Sequence, residues 1–248
     1  MNYAVSFLAD LIIVGVVIAI LLRWRFIEIR FGWLGLLLLS LGLYAMMLIQ
    51  VGNGWLSFIP GTERLHWNWG GKIAADLLWL VLLVLLLRLQ PGFRAADAGF
   101  TLKLRPGSLK PVLRAAALLM GLQILIVLLF QEPREVDAED LLFQALMPGL
   151  DEEPLFRGVL LYMATQALVG RRYRLFGAPL NAAGLLLVLL FGLVHGIAYT
   201  GDAWQVNLLM ILFAGLYGLF LLWIRERSGS LLPSVLTHNA VNLVAFLL

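Results

Sequence analysis

Three carboxylates stand side by side in PGLDEEPLFRG, residues 148–158: Asp151, Glu152 and Glu153, with Arg157 four positions after Glu153. Adjacent helical residues lie about 100° apart, whereas residues four apart share a face. Glu153 and Arg157 are therefore expected to pair along one face, which leaves Glu152 to point elsewhere. Pro148 and Gly149 are expected to break or kink the helix. Asp151 would then be an N-cap, with Pro154 in the first turn and Glu152 and Glu153 at a helix N-terminus, where the dipole favours carboxylate. His195 follows Phe191 by four in FGLVHG, and His238 precedes Asn242 by four in LTHNAVN. Each pair again shares a face, and Asn239 lies off the second one. A carboxylate can act as general base for water; an imidazole can hold water, bind a metal or donate to an oxyanion; an amide donates to an oxyanion. Together these groups suffice to hydrolyse an amide without a cysteine nucleophile. The chain has no cysteine, which also excludes disulfides and thiolate metal sites. The plainer alternatives are a structural charge cluster and imidazoles that only hydrogen-bond between helices.

What must position these groups follows from composition. Of 248 residues, 62% are hydrophobic and 13% charged, and the mean hydropathy is +0.93. A soluble domain has about twice that share of charge. The sequence therefore predicts an all-α, polytopic membrane bundle of about eight transmembrane helices, a single integral-membrane domain over residues 1–248 with its motifs in 148–245. A span needs roughly 20 apolar residues, and the stretches are 4–22, 32–51, 73–90, 111–131, 142–169, 180–199, 203–224 and 231–248. The first lacks a basic leader and a small-residue cleavage site, so it is expected to be a retained span. Net charge is +3 and the pI about 9.4, yet the distribution of the bases predicts membrane topology and no nucleic-acid partner.

Base-rich connections alternate with base-poor ones. Connections one, three, five and seven carry Arg23, Arg25 and Arg30; Arg94, Lys103 and Arg105; Arg171, Arg172 and Arg174; and Arg225 and Arg227. The second has Glu63, Arg64 and Lys72, the fourth is acidic (Glu132, Glu135, Asp137, Glu139 and Asp140 against Arg134), and the sixth has Asp202. The positive-inside rule then makes the odd connections cytoplasmic and both termini external. The short loops suggest a prokaryotic inner (plasma) membrane. Trp24, Trp33, Trp55, Trp67, Trp69, Trp204 and Trp223 fall near span ends, as amphipathic rings do; only Trp79 is mid-span.

An ionic group inside hydrocarbon costs at least about 2.5–3.5 kcal/mol, so one that is retained there needs a reason. Asp10 and Asp76, each a turn or two inside a span, are expected to pair with an arginine or to line a cavity. His66, in an external loop, is read as solvated.

The run EEPLFRG resembles the EExxxR motif of the CPBP intramembrane proteases, at Glu152, Glu153 and Arg157. FxxxH matches at Phe191 and His195, and HxxxN at His238 and Asn242. That family includes the type II CAAX prenyl endopeptidases and bacterial proteins of the abortive-infection or bacteriocin-immunity type. The resemblance implies an endopeptidase that cuts near the C-terminus of a membrane-anchored or lipidated protein or peptide. It implies that Glu152 activates water, His195 helps hold it, His238 and Asn242 stabilise the oxyanion, and Glu153 and Arg157 orient the site. The family has been described both as metal-free glutamate proteases and as metalloproteases. No cofactor is required in the first form; in the second, Glu152, His195 and His238 would hold zinc. The missing HExxH signature favours the metal-free form.

Two readings of other classes use the same residues: a transporter or proton relay, and a non-catalytic immunity or scaffold protein. Polar groups confined to the last four spans disfavour transport, which commonly shows broken helices in both halves. Depth poses a difficulty. Along their own spans Glu152 and His195 lie nearer the outer face and His238 nearer the inner half, yet they must meet.

Overall fold

The computed structural model describes residues 2–51, 61–131 and 135–248; Trp55, Glu132 and Arg134 lie outside the described residues. The first half is built from α1 (Tyr3–Arg23), α2 (Phe31–Met46), α3 (Trp69–Leu89) and α4 (Leu109–Phe130). α2 runs on through π-helical turns at Met47–Val51. Next, α5 (Ala138–Glu152), a π-helical stretch (Glu153–Leu160) and α6 (Leu161–Ala167) form one continuous rod. α7 (Ala182–Gly196), α8 (Leu208–Ser228) and α9 (Leu232–Leu247) complete the bundle. Among the described residues, four helices are long and apolar enough to cross a membrane: Tyr3–Arg23, Phe31–Ile49, Leu109–Phe130 and Leu208–Ser228. α7 and α9 are apolar but shorter. Three two-stranded antiparallel ribbons add strand that the all-helical expectation omitted. They pair β1 (Ile27–Ile29) with β2 (Leu168–Gly170), β3 (Arg172–Leu175) with β4 (Ala178–Asn181), and β5 (Ile197–Tyr199) with β6 (Trp204–Val206).

Burial runs opposite to that of a water-soluble protein. Leu8, Ile12 and Val16 on α1, Val81 and Val84 on α3, and Leu118, Leu125 and Leu128 on α4 are exposed, while Asp10, Asp151, Glu153, Arg157, Arg225 and Glu226 are buried. Apolar outward faces of this extent match hydrocarbon rather than water.

Asparagine caps four helices. The side chains of Asn2, Asn68, Asn181 and Asn207 accept from the backbone N–H of Val5, Gly71, Gly184 and Met210. The cap at Asn68 starts α3 one turn earlier than hydropathy suggests, which brings Lys72 into a helix instead of a loop. α7 meets α8 through Gly192 and Gly196, where an added Cβ would lie 2.8 Å from Ile211 O and 2.7 Å from Asn207 O. Small residues four apart let two membrane helices approach to backbone contact, and here they fix α7 on either side of His195.

The break expected at Pro148–Gly149 does not occur: α5 continues through both residues. Pro148 has no N–H to give, but the next N–H, of Gly149, donates to Asn239 Oδ1 on α9 at 2.7 Å. A Cβ at Gly149 would stand 2.7 Å from Val235 O, so glycine admits the α9 backbone and that packing keeps the rod intact. The irregularity comes later. A proline ring clashes with the carbonyl four residues back, and at Pro154 the turns widen to π geometry. Asp151 is therefore not an N-cap, and Glu152 and Glu153 do not begin a helix. The freed backbone is braced from α8, where Arg225 Nε donates to Arg157 O at 3.0 Å.

The connections sort into two sets. Arg30 N bonds Ala167 O, Arg105 N bonds Ser228 O and Leu231 N bonds Gly99 O, while Trp223 Nε1 bonds Leu175 O. The base-rich connections thus touch one another at one end of the bundle. At the other end Asn2 N bonds Tyr199 O, Gln131 Nε2 bonds Ala245 O, and the 61–68 segment is clasped to α5. In that clasp His66 Nδ1 lies 3.0 Å from Glu139 Oε2 and its Nε2 3.0 Å from Asp140 Oδ1. Trp67 Nε1 also donates to Asp140, at 2.8 Å. His66 is thus the solvated loop histidine expected, half of its side chain exposed, and an ion-pair partner as well.

Both His66 nitrogens face carboxylates, so the imidazolium is the form that satisfies the clasp. Hydrogen bonding to Asp140 raises the His66 pKa above its ordinary 6.5. Asp140 is held down at about 2, by the Asp137 backbone N–H first and by His66 next. A raised histidine stabilises fully below its unfolded value and loses that contribution as pH rises through the folded one. The depressed Asp140 contributes above its unfolded value, and this is lost as pH falls toward about 2. Thermal unfolding in detergent is therefore expected to show a Tm that declines from pH 6 to pH 9 in the wild type, with that decline missing in His66→Gln.

Candidate functional site

One rod and two helices, α7 and α9, bring the sequence-predicted groups together. The Glu153–Arg157 pair forms as the spacing predicts, with Arg157 Nη1 3.1 Å from Glu153 Oε1 and both side chains buried. The Arg157 guanidinium also lies over the Phe191 ring, 4.3 Å from its centroid, which ties the π-helical stretch to α7. Glu153 has a second partner: His238 Nδ1 on α9 lies 2.9 Å from the same Oε1. A carboxylate only accepts, so Nδ1 carries the hydrogen, and Nε2 is turned toward Glu152 Oε2 at 4.0 Å. His195 is fixed likewise. Its Nδ1 lies 2.6 Å from Phe191 O, an acceptor, which leaves Nε2 unspent.

Glu152 is not free, contrary to the division of labour read from the sequence. Lys72 Nζ on α3 lies 2.7 Å from Glu152 Oε1 and 2.6 Å from Asp151 Oδ2. Asp151 is held further by Tyr44 OH at 3.1 Å. Lys72 and Tyr44 are the participants the sequence reading missed. Asn68 placed as a cap would have moved Lys72 inside a span; Tyr44, alone among apolar residues, carried no signal. The three adjacent carboxylates Asp151, Glu152 and Glu153 thus stand against two fixed cations, Lys72 and Arg157, with the His238 ring between Glu152 and Glu153. Several atoms keep capacity: Asp151 Oδ1, Glu153 Oε2 and Arg157 Nη2 have no hydrogen-bond partner among the described residues.

Glu152 and His195 line one cavity of about 510 Å³. Its walls come from α1 (Ser6, Asp10), α2 and its extension (Tyr44, Leu48), α3 (Lys72) and α7 (Val194). Tyr3, Asn68 and Ile197 also line it, so it extends toward the end of the bundle that carries the termini. Asn242 is half-buried on α9, one turn beyond His238, and makes no hydrogen bond among the described residues. Asn239, off that face as expected, holds Gly149. Asp76 accepts from Trp79 Nε1 at 3.1 Å on its own helix, whereas Asp10 lines the cavity.

The ligand atoms of Glu152, His195 and His238 are not gathered within 4.8 Å of one another. Among the described residues, the one group of ligand atoms that all lie within 4.8 Å of one another is His66, Asp137 and Asp140. In the clasp His66 already has both nitrogens against carboxylates. On Glu152, Lys72 takes Oε1 and leaves Oε2 turned toward His238.

Comparison with known proteins agrees with the motif resemblance. Residues 137–244 match the family model described as type II CAAX prenyl endopeptidase Rce1-like. The matched stretch contains Glu152, Glu153, Arg157, Phe191, His195, His238 and Asn242. No curated protein and no solved structure matches the chain.

Proposed function

We propose that this integral membrane protein, whose residues 137–244 are Rce1-like, is an intramembrane endopeptidase with Glu152 as the base that activates water. The observation that carries this reading is the convergence of three separate helical elements on Glu152: it shares a cavity with His195 and faces His238 Nε2 at 4.0 Å. Water bound between Glu152 and His195 Nε2 gives a proton to the carboxylate as its oxygen attacks the scissile carbonyl. The oxyanion is met by Nε2–H of protonated His238 and by the unspent amide of Asn242. Collapse breaks the C–N bond, and Glu152 returns the proton to the leaving amine. Glu153 sets the His238 ring, as a buried carboxylate does in other hydrolases, and Arg157 holds Glu153. Lys72 fixes the Glu152 rotamer.

The substrate in this reading is a membrane-anchored or lipidated peptide cut near its C-terminus, and no metal takes part. All eight rods span the bilayer. The base-rich connections face the cytoplasm, both termini face outward, and the membrane is a prokaryotic inner membrane. Grouping of all the base-rich connections at one end supports that topology.

The test is cleavage of a prenylated CAAX-type peptide by the detergent-purified protein, with fragments read by mass spectrometry. A C-terminal fragment is expected, at a rate unchanged by exhaustive chelation. Intact peptide across a panel of prenylated and membrane-anchored sequences would overturn the assignment. Loss of activity on chelation and its return with zinc would overturn the metal-free form alone.

A further inference from the structure

The cavity holds one acid that the proposed chemistry does not use. Asp10, eight residues into α1, is 1% exposed and lines the cavity with Glu152 and His195. It makes no hydrogen bond or ion pair among the described residues, and its Oδ1 is buried without a partner. Among the described residues lining the cavity, Lys72 is the one Lys or Arg, and it is committed to Asp151 and Glu152. A buried carboxyl in a membrane helix with no partner is costly, and such groups mark sites that a ligand completes.

A second observation concerns the mouth. The cavity extends toward the terminus-bearing end, where the described side chains include Glu135, Asp137, Glu139, Asp140 and Asp202 against Arg64 and His66, with Glu139 and Asp140 engaged in the His66 clasp. Most of the 18 Lys and Arg residues lie at the opposite end. An end of the bundle that carries more acid than base attracts cations and repels anions.

We infer that Asp10 is the subsite for a basic side chain, Lys or Arg, of a peptide that enters the cavity from the acidic, extracytoplasmic end of the bundle. The inference rests on the endopeptidase reading for the cleavage step and on the positive-inside orientation for the side of approach. The two charges meet inside the cavity. Diffusion toward it is steered by that acidic end and weakened by salt.

The probes are internally quenched peptides on one lipid anchor, with Lys or Gln scanned through the positions around the cut. For the wild type, Lys at one position is expected to raise kcat/KM about tenfold or more over Gln. This advantage should shrink at high salt, and Asp10→Asn should bring the Lys/Gln ratio to about one. Equal rates for Lys and Gln at every position, or a preference that survives Asp10→Asn, overturns the subsite. Should Asp10→Asn fail to fold, the wild-type scan and its salt dependence decide by themselves. If no peptide is cut at all, the endopeptidase reading fails. The subsite is then judged by fluorescence anisotropy of the labelled Lys and Gln peptides on the wild type, where equal affinity overturns it.

The side of approach has its own readout. The chain has no cysteine, so a single introduced thiol reports cleanly. A membrane-impermeant maleimide should label Asp202→Cys in intact cells and Tyr173→Cys only after the cells are opened. The reverse pattern overturns the extracytoplasmic mouth while leaving the peptide preference to stand or fall alone.

Discussion

Glu152→Gln is expected to lower kcat by between about 10²- and 10⁴-fold, the range over which a general base contributes, with the protein still folded. The amide fills the same volume and still offers Oε1 to Lys72, 2.7 Å away in the wild type, but it cannot take a proton from water. KM should move little, because Glu152 acts on the water. The check is cleavage kinetics beside a melting curve. A variant that unfolds some degrees lower yet cleaves at the wild-type rate would remove Glu152 from the chemistry. The flanking carboxylate supplies the contrast. Glu153 touches Arg157 and His238 instead of the cavity, so Glu153→Gln should lose stability as well as rate.

The largest stability effect is expected at Arg157. Its side chain is buried, pairs with Glu153 at 3.1 Å and covers the Phe191 ring. Removing one partner of a buried pair strands the other charge, at about 3–5 kcal/mol. Arg157→Leu should therefore unfold at markedly lower temperature in detergent. Taking the stranded charge away as well should recover much of the loss, so Arg157→Leu with Glu153→Gln is expected to be more stable than Arg157→Leu alone. Additive effects in that cycle would mean the two side chains are not coupled. Activity should not return in the double variant, because Glu153 also sets the His238 ring.

The pair around which that cycle is built was legible in the sequence, as were the helical rods; the asparagine caps obey equally local rules but were not read from it. All are consequences of local geometry. Four residues along a helix bring two side chains onto one face whatever surrounds them, and an Asn before an apolar run satisfies the first turn's N–H groups wherever the helix goes. Pro148–Gly149 shows where the local rule fails. Taken alone the dipeptide ends a helix, but Asn239 and the close backbone of α9 supply what the proline removes.

What the sequence by itself determined is the membrane class, the helical rods, the base-rich and base-poor connections and the residues of the three motifs. It did not determine who faces whom. α1, α3 and α7 are apolar around most of their length, so hydrophobicity alone defines no inward face, and small shifts in depth move a side chain by a turn. Only the packed bundle lifted Lys72 to Glu152, set Tyr44 on Asp151, turned Asp10 into the cavity and brought His238 level with Glu152. The physical reason is that contacts within a helix are set by the backbone repeat. Contacts between helices are set by rotation, tilt and close approach at residues such as Gly149 and Gly192, which act only once their partners are in place.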